Sequence, residues 1–115
     1  MSWASDFIAE YVAAFNAAVV SGDFAPLLGR FTDDAVMRFE NVPPGGSALE
    51  FAGRPCYTAA YADRPPDDQI DLLGEPSARG GHLVTRFAWR RDLSAGQLDL
   101  TVTDGLISRM TVIFG

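Results

Sequence analysis

A chain of 115 residues that is 48% hydrophobic carries the material for one core and one domain over 1–115. Its 15 acidic and 9 basic residues give a formal charge of -6, which argues against a nucleic-acid backbone as partner, because that requires concentrated positive charge. A single cysteine, Cys56, and a single histidine, His82, rule out an internal disulfide framework, a thiolate zinc cluster and a multi-histidine metal site.

The segment Met1 to Asp6 has no basic region, and the apolar stretch that follows is interrupted by Glu10, Asn16 and Asp23. Neither a signal peptide nor a membrane span is expected, and the chain reads as cytoplasmic. From Ser5 to Val19, Phe7, Ile8, Tyr11, Val12, Phe15 and Val19 recur at three- and four-residue steps, the stripe of an amphipathic helix. Ser5 or Asp6 can cap its start, and Gly22 with Asp23 ends it. A second short helix is predicted from Phe24 to Phe31, with Asp23 as cap and Pro26 in the first turn, where a missing N–H is harmless. Thr32, Asp33 and Asp34 are expected to break it.

Ala35 to Phe39 reads as a brief strand, and Asn41 to Ser47, with two prolines and two glycines, as a loop. A third helix is predicted over Gly53 to Arg64, closed by Pro65 and Pro66. Strands or hairpin arms follow at Gln69–Leu73, His82–Arg91 and Gln97–Thr103, and at Leu106–Phe114 after the Asp104-Gly105 turn. Alternation puts Leu98, Leu100 and Val102 opposite Asp99, Thr101 and Thr103, and Leu83, Thr85, Phe87 and Trp89 opposite Val84, Arg86 and Ala88. Arg86 is then a mid-strand charge among small residues. It requires acceptors, and Asp99, Glu40, a bound anion or a partner subunit can supply them.

Four segments carry a resemblance: Tyr11-Val12-Ala13-Ala14-Phe15-Asn16, Gly22-Asp23-Phe24, Phe31-Thr32-Asp33-Asp34-Ala35, and Asp104-Gly105-Leu106-Ile107 with Met110 and Phe114. They are similar to ketosteroid isomerases and SnoaL-like polyketide cyclases, and the whole chain resembles the nuclear transport factor 2-like superfamily. The resemblance implies an α+β fold, with three N-terminal helices packed on a curved mixed or antiparallel β-sheet, a cystatin-like cone. Within it Tyr11 resembles the tyrosine that donates to the isomerase's oxyanion. The base's place falls at Phe39, with Glu40 beside it. The acid's place falls at Leu98 if the apolar alternation is kept, or at Asp99 if the last hairpin absorbs two residues.

A second likeness is to limonene-type epoxide hydrolases. Phe39-Glu40-Asn41-Val42-Pro43 resembles the segment that carries their tyrosine and asparagine, with Asn41 in the asparagine place. Arg86 resembles their relay arginine, but the flanking carboxylates fall at Ala88 and Val112. An arginine without paired acids orients an anion or a carbonyl and does not donate a proton near neutral pH.

The expectation is a homodimer whose pocket takes a small hydrophobic organic molecule, with Phe39, Ala88, Met110 and Val112 as its binding surface. If it is an enzyme, the resemblance implies cofactor-free and metal-free proton transfer of the isomerase or cyclase type. Glu40 would be the base, Tyr11 the donor to an enolate-like oxygen, and Asn41 or Arg86 the group that orients the substrate. Two alternatives stand beside it. One is a noncatalytic ligand-binding or dimerisation domain, in which Phe39, Trp89 and Met110 could fill the cavity. The other is a divergent epoxide hydrolase-like enzyme.

Overall fold

The computed structural model describes residues 3–41 and 45–114. Helix α1 (Trp3–Ser21) leads into a single helical turn, α2 (Ala25–Leu28), and then two strands, β1 (Phe31–Glu40) and β2 (Leu49–Ala52). Helix α3 (Arg54–Asp63) comes next, followed by β3 (Ile70–Arg79), β4 (His82–Trp89), β5 (Ala95–Thr103) and β6 (Leu106–Phe114). The six strands form one sheet in the order β2-β1-β6-β5-β4-β3. Neighbours are antiparallel except β1 and β6, which run parallel.

Helix α1 buries Ala4, Ile8, Tyr11, Phe15 and Ala18, alternate steps of four and three that keep one stripe against the sheet. Phe7, Val12 and Val19 pack at the margins of that stripe. The helix ends where the Gly22 N–H donates to the Ala18 carbonyl at 2.8 Å, with Gly22 at φ +78, the left-handed conformation open to a residue without Cβ. Asn16 fastens α1 to the start of β3. Its Nδ2 donates to the Ile70 carbonyl at 3.0 Å, and its Oδ1 accepts the Ile70 N–H at 2.9 Å. One side-chain amide thus satisfies both backbone groups of an edge-strand residue.

Two expectations about the architecture are corrected. The helices do not all precede the sheet, because α3 lies between β2 and β3, so two strands come before it. The sheet is mixed, one of the two forms expected, but open, with β2 and β3 as its edge strands; it is neither closed nor strongly curled, so the curved cone does not describe it. Strand β1 also differs from its expected extent. Instead of a brief strand at Ala35–Phe39, it runs for 10 residues straight through Thr32-Asp33-Asp34. A register shift between Phe31 and Val36 against β6 accommodates those polar residues. Asp33 stays exposed and pairs with Arg54 Nε at 2.7 Å, while Arg54 also donates to the Phe31 carbonyl at 2.9 Å and so ties the start of α3 to the start of β1.

The sheet has two unlike faces. Towards the helices it presents Met37, Leu83, Phe87, Leu98, Leu100, Met110 and Val112, all buried in one core with Tyr11, Phe15, Tyr57 and Tyr61. The other face carries Arg38, Glu40, Arg86, Asp99 and Arg109, as the alternation of each strand requires. The buried aliphatic set at Leu98 and Leu100 agrees with the alternation expected for β5.

Candidate functional site

A cavity of about 730 Å³ lies between the helix-side face of the sheet and helices α1 and α3. That volume is in the range of sites that enclose small organic ligands. Its walls are aromatic and aliphatic. Tyr11 and Phe15 come from α1, Phe39 from β1, Tyr61 from α3, Trp89 from β4 and Phe114 from β6. The rings brace one another: Trp89 meets Phe15 at 6.3 Å, Phe87 at 5.4 Å and Phe114 at 5.8 Å between centroids. Mutual edge and stacked contacts of this kind hold aromatic side chains in place around a space.

Phe87 owes its position to a glycine. It stands opposite Gly96 across the β4–β5 pair, and a Cβ at Gly96 would come within 2.6 Å of the ring and 2.9 Å of the Ile113 carbonyl. The bare backbone lets the ring lie down over β5 rather than stand into the cavity. At the other end the cavity opens past polar residues, Asp63 and Arg64 at the end of α3, Asp67 and Asp68 before β3, and Arg91 and Asp92 after β4. Asp67 pairs with Arg91 at 3.6 Å, the Asp68 carboxylate accepts the Arg91 N–H at 3.0 Å, and hydrogen bonds from Ser94 hold the Asp92 carboxyl below its ordinary range. Apart from the half-buried Asp68 these residues are exposed, so they form a rim and not a wall.

Two phenols supply the polar groups of the inner wall. Tyr11 is 3% exposed and its hydroxyl donates to Met110 Sδ at 3.3 Å, a weak acceptor. Tyr61 is 7% exposed, packs its ring against Phe24 at 5.6 Å, and makes no hydrogen bond among the described residues. Burial pushes both phenols well above the ordinary tyrosine range, and for Tyr11 the neighbouring Tyr61 adds to the effect. Both are therefore neutral donors at physiological pH.

Of the residues singled out in the sequence, Tyr11, Phe39, Met110 and Val112 line this cavity. Glu40, Asn41, Arg86 and Ala88 do not. Glu40 follows Phe39 on a regular strand and so points to the opposite face, where Arg38 Nε donates to its Oε2 at 2.7 Å. With 37% of its side chain exposed, it stands away from the cavity and its apolar walls. Arg86 and Ala88 share that outer face, and Arg86 is exposed with no ion pair among the described residues.

Asn41, at φ +65, works as a structural clamp. It donates to the Phe114 carbonyl at 2.7 Å and accepts the Gly45 N–H at 2.6 Å, while Val42 and Pro43, the rest of the resembling segment, lie outside the described residues. Leu98 occupies the inward position on β5, and Asp99 faces outward and accepts from Gln97 at 2.9 Å. Asp63 reaches the rim from the end of α3. Tyr61 was not singled out. Its only signal was a place four residues after Tyr57 on an alanine-rich helix, which reads as core, and both are in fact buried.

No protein-family model and no curated protein matches the chain in sequence. Solved structures do match in shape. A candidate isomerase of the SnoaL-like family from Agrobacterium tumefaciens C58 superposes with a TM-score of 0.71 at 16% identity, covering 100% of this chain and 99% of that one. An NTF2-like protein of unknown function from Burkholderia xenovorans LB400 gives 0.67 at 18%, covering 99% and 87%. A candidate polyketide cyclase from Sinorhizobium meliloti gives 0.63 at 19%, covering 90% and 93%. At these identities the likeness is one of fold alone.

Proposed function

We propose that this chain is a small-molecule pocket protein that binds a largely apolar organic ligand in the cavity between α1, α3 and the sheet. The observation that carries the reading is the aromatic-walled space of about 730 Å³ left open in a chain of only 115 residues. A domain this short has little core volume to spare, and Phe39, Trp89 and Met110 line the space without filling it. Isomerase or cyclase chemistry needs a base beside the bound molecule. Glu40 and Arg86 stand on the far face, and the carboxylates along the cavity belong to its exposed rim. Binding without catalysis therefore fits the geometry best. The test is titration with a neutral, solvent-sensitive dye. Saturable one-to-one binding is expected, weakened at least about tenfold in Ala60→Phe, which places a ring in the cavity from α3. Unchanged dye binding in that variant counts against the reading.

The expected homodimer is best supported through the outer face of the sheet. The helices pack their buried stripes into the core on the other side. Arg86 and Arg109 have no ion pair among the described residues, and Asp99 is held only by Gln97, so the face offers both signs to a second copy of itself. Sedimentation should give a dimer that Arg86→Glu shifts toward monomer; a monomeric wild-type chain at micromolar concentration contradicts it.

A further inference from the structure

We infer that the cavity selects an uncharged hydrogen-bond acceptor, a ketone, ester or ether oxygen on an apolar body, and that the Tyr61 hydroxyl is the donor that selects it. The inference rests on the pocket reading above and adds the ligand's polar chemistry to it.

Three tyrosines reach the core, and their hydroxyls differ. Tyr57 donates to the Thr32 carbonyl at 3.1 Å, and Tyr11 donates to Met110 Sδ at 3.3 Å. Tyr61 alone of the three has no acceptor among the described residues, although it is only 7% exposed and lies on the cavity wall. A hydroxyl in such a place can bond water while the cavity is open, and an apolar ligand that displaces that water leaves it unpaired unless the ligand supplies an acceptor. Its oxygen is not sealed into the core, for the enclosed side-chain polar atom without a partner among the described residues is Thr85 Oγ1. The Tyr61 hydroxyl therefore keeps access to open space.

The sign of the ligand group follows from the surroundings. Tyr61 stays protonated through the physiological range, so it offers a hydrogen. No arginine or lysine lines the inner cavity; Arg64 and Arg91 stand at the rim beside Asp63 and Asp67. An anionic group carried inward would lose its hydration with no cation to meet it, and would first pass a mouth where Asp63, Asp67, Asp68 and Asp92 outnumber the two arginines. A neutral oxygen loses little hydration and gains the waiting donor.

The experiment is a calorimetric titration of wild type, Tyr61→Phe and Tyr11→Phe with three probes of one shape: acetylnaphthalene, ethylnaphthalene and naphthoate. In wild type the ketone should bind about tenfold tighter than the hydrocarbon, the size of one net hydrogen bond, with the carboxylate weakest. Tyr61→Phe should bring the ketone to the affinity of ethylnaphthalene and leave ethylnaphthalene unchanged, which also shows that the variant keeps its cavity. Tyr11→Phe should retain the preference. Equal affinities in wild type, a preference that survives Tyr61→Phe or vanishes in Tyr11→Phe, or tightest binding of naphthoate would each overturn the inference while leaving the pocket reading intact. Failure of ethylnaphthalene to bind wild type would remove both.

Discussion

The Thr85 hydroxyl is enclosed in the helix-side layer at 3% exposure, without a hydrogen-bond partner among the described residues. Its β-branched body suits β4, but its oxygen gives up water and gains nothing. Thr85→Val should therefore raise stability by about 1 kcal/mol in denaturant unfolding, because it deletes the unpaired group and keeps the shape; a loss of stability would show that the hydroxyl is satisfied. At this scale the sequence was informative wherever a strict alternation held. Leu98 and not Asp99 faces inward, and Phe39, Met110 and Val112 line the cavity, because period-two geometry fixes facing once a strand is recognised. The same rule, applied one residue further, puts Glu40 outside. Its expected role rested on its place beside Phe39, just past a strand expected to end there, and the strand instead runs on through Glu40. Tyr61 was illegible because an unpaired hydroxyl is a property of three dimensions.

Between elements, the α1–β3 junction depends on Asn16. Replacing it with Ala leaves both the N–H and the carbonyl of Ile70 without these partners, so Asn16→Ala should cost about 1–3 kcal/mol, read as a lowered denaturation midpoint. A loss below about 0.5 kcal/mol would mean that water replaces the amide at little cost. Helices α1 and α3 were legible from their apolar steps and flanking breakers, and β4 to β6 from alternation and turn residues. Strand β2 was not, since its four residues have exposed or half-buried side chains and give no period to detect. The start of β1 was hidden because Thr32-Asp33-Asp34 has the composition of a turn, and only pairing with β6 through a register shift makes it a strand.

For the molecule as a whole, three buried phenols should set the alkaline limit of stability. Tyr11, Tyr57 and Tyr61 all have folded-state values raised above 10.0, with desolvation as the main cause. A raised value means that the folded state holds the proton more tightly. That contribution is complete below the unfolded tyrosine value near 10 and is lost as pH rises beyond it toward the folded values. The melting temperature should stay level on this account from neutral pH to about 9 and fall steeply above about 10, together with the rise of phenolate absorbance. Phenolate appearing before the fold is lost would contradict that burial.

The helix-and-strand inventory of the C-terminal half could be read from local pattern. The parallel β1–β6 pairing and the open mixed sheet could not, because both depend on contacts between residues some 70 positions apart, such as Phe39 and Val112. The cavity depends in turn on that pairing, which brings Phe39 beside Val112 and Phe114.

The most direct test is a methyl and indole NMR titration of the wild-type chain with ethylnaphthalene. Saturable one-to-one shifts at Met110, Val112, Leu98 and Trp89, with Val84 and Ile113 on the outer face unmoved, are the predicted result. A spectrum that does not change, or shifts that spread over the outer face, would mean that the interior does not admit a guest.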